Sequence, residues 1–219
     1  MNDRLAIEWE RALAAEGITP TTESLMAALV SPHMHIRIGS ATILGRRGEV
    51  KALSYLKPLL KDRPLVRVEA AMSLYLLGDK SGIPALIEIL DSDLIAGTPV
   101  TAARYLANIG DPRGFKIVLK ALRSDLDGTR LMAAVALKSF VPYHGKEIDG
   151  HKVDLLFVIR QAIKDPNYLV RRELLFILAK LDDQKSKLIL SSISRSDRNA
   201  QIRLKAQQLL FPNSDDRKP

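Results

Sequence analysis

Leu65-Val66-Arg67-Val68-Glu69-Ala70-Ala71-Met72-Ser73-Leu74-Tyr75-Leu76-Leu77-Gly78-Asp79 decides how this chain is read. A second stretch answers it: Pro99-Val100-Thr101-Ala102-Ala103-Arg104-Tyr105-Leu106-Ala107-Asn108-Ile109-Gly110-Asp111. Both carry an Ala-Ala pair and then a Gly-Asp pair, 32 residues apart. A period of that size marks stacked repeats, each too small to bury its own apolar face.

With Arg67 as position zero, the frame extends to Arg37, Arg130, Arg171 and Arg203, and Pro99 takes the arginine position in one unit. The +11 positions are then 48, 78, 110, 141, 182 and 214, so one interval is about ten residues longer than the others. Each unit reads as two helices joined by a polar turn such as Asp165-Pro166-Asn167. Small residues at +3 and +4 let neighbouring helices approach closely, and Gly at +11 suits a left-handed helix C-cap.

The pattern Val-Arg-x-x-Ala-Ala-x-x-Leu-x-x-x-Gly-Asp resembles HEAT repeats of the short type found in phycobilisome lyase-like proteins, over about residues 22–212. The resemblance implies an all-α fold: a right-handed α-solenoid, or superhelix, of about six armadillo-like helix pairs. It also implies that second helices line a concave groove and that the protein is a binding scaffold. Pro99 and the loss of Gly from the last three units depart from the pattern. The expected organisation is a capping helix at 1–18, the repeats at 19–212 with an insertion loop at 142–152, and a disordered tail at 213–219. Trp9 is expected to pack over the first repeat.

Composition bounds the chemistry. The chain has 219 residues and no cysteine, which removes disulfides and thiolate chemistry. No apolar leader or membrane span is visible, so a cytoplasmic protein is expected. Net charge is +8, and all of the excess lies in residues 111–219. Such asymmetry suits a solvated basic face, an acidic protein or a nucleic acid.

The recurring Asp and Arg around each turn look catalytic at first sight. They read better as structure, with Asp capping the second helix and Arg pairing with it or with a neighbouring repeat's Asp. His33 and His35 read as a polar loop. The insertion holds His144, Glu147, Asp149 and His151, which match no metal-ligand spacing. No catalytic residue, metal or cofactor is expected.

Positions +2, +5 and +9 are expected to face outward, while +3, +4, +7 and +10 pack. The partner-binding groove then draws on Met72, Leu76, Arg104, Asn108, Met132, Val135, Phe176 and Lys180. An apolar stripe with polar edges suits a protein or peptide partner. Arg160, Lys164, Arg172 and Lys205 are the candidate contacts to nucleic acid or an acidic partner. Tyr168 and Phe176 read as packing residues rather than base-stacking platforms. The leading expectation is a non-catalytic protein-binding scaffold. The alternatives are a nucleic-acid binder, resembling HEAT-like DNA glycosylases in size and charge alone, and a lyase-like or chaperone-like protein acting on a chromophore-bearing protein.

Overall fold

A computed structural model describes residues 4–90, 92, 97–148 and 150–211. The expected tail at 213–219, the +11 position Ser214, and Asp149 of the insertion lie outside the described residues. The fold is all-α apart from one short hairpin. No helix among the described residues is long and apolar enough to cross a membrane. The chain divides into two compact units, residues 1–102 and 103–219, and the division falls inside a helix whose first turn carries Pro99.

The first unit contains α1 (Arg4–Ala15), α2 (Thr22–Ala28), α3 (Met34–Arg47), α4 (Leu53–Leu56), α5 (Pro64–Leu76), α6 (Ile83–Leu90) and the start of α7 (Gly97–Asn108). Pro58 sits just past α4, where the chain tightens into a 3₁₀ turn over Lys57–Lys61. Helix α3 packs on α5, and Leu25, Ile43, Leu44, Leu56 and Leu74 form a dry core between the layers. The core excludes bulk because small residues sit at the crossings. A Cβ on Gly45 would stand 2.6 Å from Ser73 Cβ, and one on Gly82 would stand 2.6 Å from Ala71 Cα. Trp9 of α1 covers Gly39 of α3, where an added Cβ would meet its ring at 2.7 Å.

The second unit contains the rest of α7, then α8 (Phe115–Ala121), α9 (Asp127–Leu137), β1 (Glu147–Ile148), β2 (His151–Lys152), α10 (Leu155–Ala162), α11 (Tyr168–Leu181), α12 (Gln184–Ser196) and α13 (Ala200–Leu210). The pairs α8/α9, α10/α11 and α12/α13 pack internally, while α9, α11 and α13 pack in succession.

The Gly-Asp pair ends one helix and starts the next. Gly48 takes a left-handed conformation at φ +74, and Gly78 and Gly110 do likewise. The residue after each glycine donates back into the helix just ended, as in Asp79 N–H to Leu74 O at 2.9 Å. The aspartate side chain then accepts from the next helical turn: Asp79 from Ser81 N, Asp111 from Arg113 N. Those bonds from Ser81, with Lys57 3.0 Å away, hold the Asp79 carboxyl down to about 2. In α11 the pair becomes Asp182-Asp183. Asp182 adopts the left-handed conformation without being glycine, and Asp183 accepts from Ser186 N.

At Val141 the left-handed stop is missing. The chain continues as a 3₁₀ turn over Lys138–Tyr143 and enters the β1/β2 hairpin. The insertion, expected as a loop, is tied down. Tyr143 Oη donates to Ala107 O at 2.9 Å, Val153 N–H donates to Lys146 O at 2.8 Å, and Leu155 N–H donates to His144 Nδ1.

The repeat arginines link consecutive turns. Arg37 grips Asp62 at 2.7 and 2.9 Å, Arg171 grips Asp197 at 2.9 and 3.0 Å, and Arg130 Nε meets Asp165 at 2.7 Å. Each Nη1 also reaches two carbonyls of the turn before its own helix: Ser31 and Pro32, Asp165 and Pro166, Ser124 and Asp125. The aspartates do not cap the second helices. Asn167 and Asn199 are the N-caps of α11 and α13, while Asp165 and Asp197 lie two residues earlier and accept from those asparagines' N–H groups. Arg67 reaches Glu88 at 3.5 Å, and its Nε is buried without a hydrogen-bond partner among the described residues. The register equivalent of Asp62 on its next turn, Asp93, lies outside them.

Burial alone pushes the Asp62 and Asp197 carboxyls up. The hydrogen bonds and charge of their arginines, with one backbone N–H each, outweigh it and hold both below the ordinary carboxylate range. Folded values below unfolded ones mean stability that is present above about pH 4 and lost as pH falls through the folded values. Urea unfolding followed by circular dichroism should therefore show Asp62→Asn and Asp197→Asn well below wild type at pH 7 and closer to it at pH 3. Two glycines should respond to alanine with opposite signs in the same measurement. Gly45→Ala drives a Cβ into Ser73 and should cost about 1–3 kcal/mol. Gly128→Ala in the first turn of α9 meets nothing within 4 Å and should stabilise by about 0.5 kcal/mol.

Candidate partner-binding surface

The +5 and +9 positions lie at or near the surface beyond the first repeat. On α5, Met72 is half-buried and Leu76 is exposed. On α7, Arg104 is half-buried with its guanidinium 4.4 Å from the Tyr105 ring centre, and Asn108 is exposed. On α9, Met132 and Val135 are 39% and 37% exposed, enough for a partner to cover further apolar area. On α11, Phe176 is half-buried and Lys180 exposed.

The +2 row, to which Met132 belongs, departs from expectation in part: Met132 is exposed and Glu69 half-buried. Gly39, Thr101 and Glu173 are buried, as is Thr42 at +5 in the first repeat. Gly39 is covered by Trp9, and Thr101 Oγ1 donates to Gly97 O of its own helix. For two other pairs a +2 side chain meets a +5 or +8 side chain of the repeat before. Thr42 Oγ1 donates to Glu69 at 3.4 Å, and Lys138 pairs with Glu173.

In the second unit these contacts assemble a cluster around Phe176. Lys138 Nζ stands 4.9 Å from its ring centre and Lys205 Nζ 5.4 Å. Two ammonium groups against one ring are held by its quadrupole. Lys138 is also paired with Glu173, which accepts from Arg172 at 3.1 Å. One buried carboxylate thus faces Lys138 and Arg172, leaving Lys180 and Lys205 without a recorded carboxylate partner among the described residues. Because α9 packs on α11 and α11 on α13, Met132 and Val135, then Phe176 and Lys180, then Lys205 occur on three successive helices.

The four candidate basic contacts fall into two groups. Arg172 and Lys205 belong to the Phe176 cluster. Arg160 lies on α10 and Lys164 just after it, and both line a cleft beside α12 instead. Lys138 and Glu173 are the residues that sequence reasoning missed as a pair. The available signal was their separation of 35 residues, about one repeat.

Among the described residues no three His, Asp or Glu side chains gather as a metal ion requires. His35 Nε2 meets Glu16 at 2.6 Å on an exposed surface. His144 is engaged by the insertion's own backbone.

A family model described as HEAT repeats matches residues 61–139, from the end of the turn before α5 to the end of α9. That stretch contains both Ala-Ala/Gly-Asp units, and the match supports a HEAT-repeat protein. HEAT repeats commonly mediate protein–protein interaction and are generally non-catalytic. No curated protein matches the chain.

Proposed function

We propose that this chain is a non-catalytic scaffold that binds a segment of a partner protein along its row of second helices. In this reading it is a right-handed solenoid of about six short, phycobilisome lyase-like HEAT repeats over residues 19–212, capped by residues 1–18. The partner segment offers apolar side chains to Met132, Val135 and Phe176 and carboxylates to Lys180 and Lys205. The observation that carries the reading is Phe176, a half-buried ring flanked by two lysines beside exposed apolar residues of α9. Apolar surface rimmed by charge is the anatomy of a protein interface, in which an aromatic anchor supplies much of the affinity. Met72 and Leu76 on α5 of the first unit, and Arg104 and Asn108 on α7 in the second, are the further contact residues of this proposal.

The test is an affinity pull-down from host lysate, with and without nuclease, using wild type and a Met132→Glu/Val135→Glu double variant. Both side chains are exposed enough for the fold to survive, which circular dichroism checks. The expected result is a discrete partner that survives nuclease and is lost from the double variant. A partner set unchanged in the variant, or one that vanishes with nuclease, overturns the proposal, and the second result assigns the basic half to nucleic acid.

A further inference from the structure

A cleft lies among the first helices of the pairs in the second unit, and none of the Phe176-cluster residues lines it. Helices α8 and α10 are the first members of their pairs, and the cleft between them is of about 460 Å³. That is within the range of small-ligand pockets. The β1/β2 hairpin, which belongs to the ten-residue excess of this repeat, delivers Lys152 to its edge. Leu119 and Leu122 form one wall, and Val158 and Phe157 the other. Phe157 is 60% exposed, a large apolar ring left open to water at the cleft.

The charges decide what fits. Three cations line the cleft: Arg123, Lys152 and Lys164, all exposed. None has a recorded side-chain hydrogen bond or ion pair among the described residues, and Lys152 stands opposite Glu147 in the hairpin without pairing to it. Two carboxylates also line the cleft, and both are committed elsewhere. Asp154 accepts from Phe157 N at 3.0 Å as the N-cap of α10. Asp165 accepts from Arg130 at 2.7 Å and from Asn167 N at 2.8 Å. The neighbouring cleft between α10 and α12 shares Lys164 and adds Arg160, but its other cations are engaged. There Arg171 is locked to Asp197, and Arg198 donates to the carbonyls of Asp165 and Pro166.

From apolar walls and uncommitted cations we infer that the α8/α10 cleft is a binding site for a small amphiphilic anion: an apolar chain lying between Leu119 and Val158, its carboxylate held by Arg123 and Lys152. The apolar body supplies burial, and the two cations supply orientation and charge selectivity. The site is separate from the second-helix row and does not depend on what that row binds.

The test uses the full chain and dodecanoate below its micellar concentration, followed by isothermal titration calorimetry. Saturable one-to-one binding is expected. Arg123→Ala/Lys152→Ala, both exposed positions, should weaken it roughly tenfold, the scale of two part-exposed charge pairs. The Met132→Glu/Val135→Glu variant should bind as wild type does, and dodecyltrimethylammonium, of the same chain length and opposite charge, should not saturate the site. Absence of saturable binding, an unaltered affinity in the Arg123/Lys152 variant, or equal binding of the cationic amphiphile overturns the inference. So does displacement of dodecanoate from the cleft by a short acidic peptide of higher affinity, which would make the cleft a second protein-docking surface.

Discussion

The guanidinium of one repeat closing on the aspartate of the next is the interaction on which the rest of each unit depends. In the Arg171–Asp197 pair the side chains retain only 3% and 7% of their exposure, so both charges have left water together. A bidentate fork compensates that desolvation better than a single contact. The same arginine satisfies two carbonyls of the turn before its helix, backbone groups that would otherwise lie half-buried without donors. One side chain thereby fixes its own turn and the spacing to the following one. Arg37 and Arg130 repeat the arrangement. Pro99 has no guanidinium to offer, and it falls in the helix where the two units divide.

This use of charge separates structure from function. At three turns the recurring aspartate and arginine neutralise each other inside the repeats: Arg37 with Asp62, Arg130 with Asp165 and Arg171 with Asp197. The excess of basic residues in the second half of the sequence is therefore carried by side chains outside the rungs. Lys138, Arg172, Lys180 and Lys205 stand around or beside Phe176, while Arg123, Lys152 and Lys164 stand around the α8/α10 cleft. Both groups set cations against apolar surface, on different helical layers of the same unit. A partner segment with carboxylates and a small amphiphilic anion are both proposed from that arrangement.

Much of the architecture was legible because local chemistry repeats. Gly-Asp could be read as helix stop followed by helix start, since left-handed backbone selects glycine and an unpaired first turn selects aspartate. Asp182-Asp183 shows the rule persisting where the first residue changed. The outward row was legible at +9 and at most +5 positions but only in part at +2, where Met132 is exposed and Glu173 buried. A helical wheel cannot show that the next helix covers Glu173 with Lys138. Gly39 was read as an outward position, yet it is the seat for Trp9, because the absence of a side chain is as useful for contact as for exposure. The order of the insertion was hidden too. Tyr143 reaches Ala107 across 36 residues, a contact that no spacing rule encodes. The α8/α10 cleft depends on that same hairpin and was invisible for the same reason.

The most direct test of the account is a double-mutant cycle at Arg171 and Asp197, with Arg171→Leu, Asp197→Asn and the pair, followed by chemical unfolding at pH 7. Removing either partner leaves a buried charge uncompensated and should cost about 3–5 kcal/mol. The double change should cost well under the sum, with a coupling of about 2 kcal/mol or more. Additive costs, within about 0.5 kcal/mol, would contradict the claim that the rungs hold the repeats together.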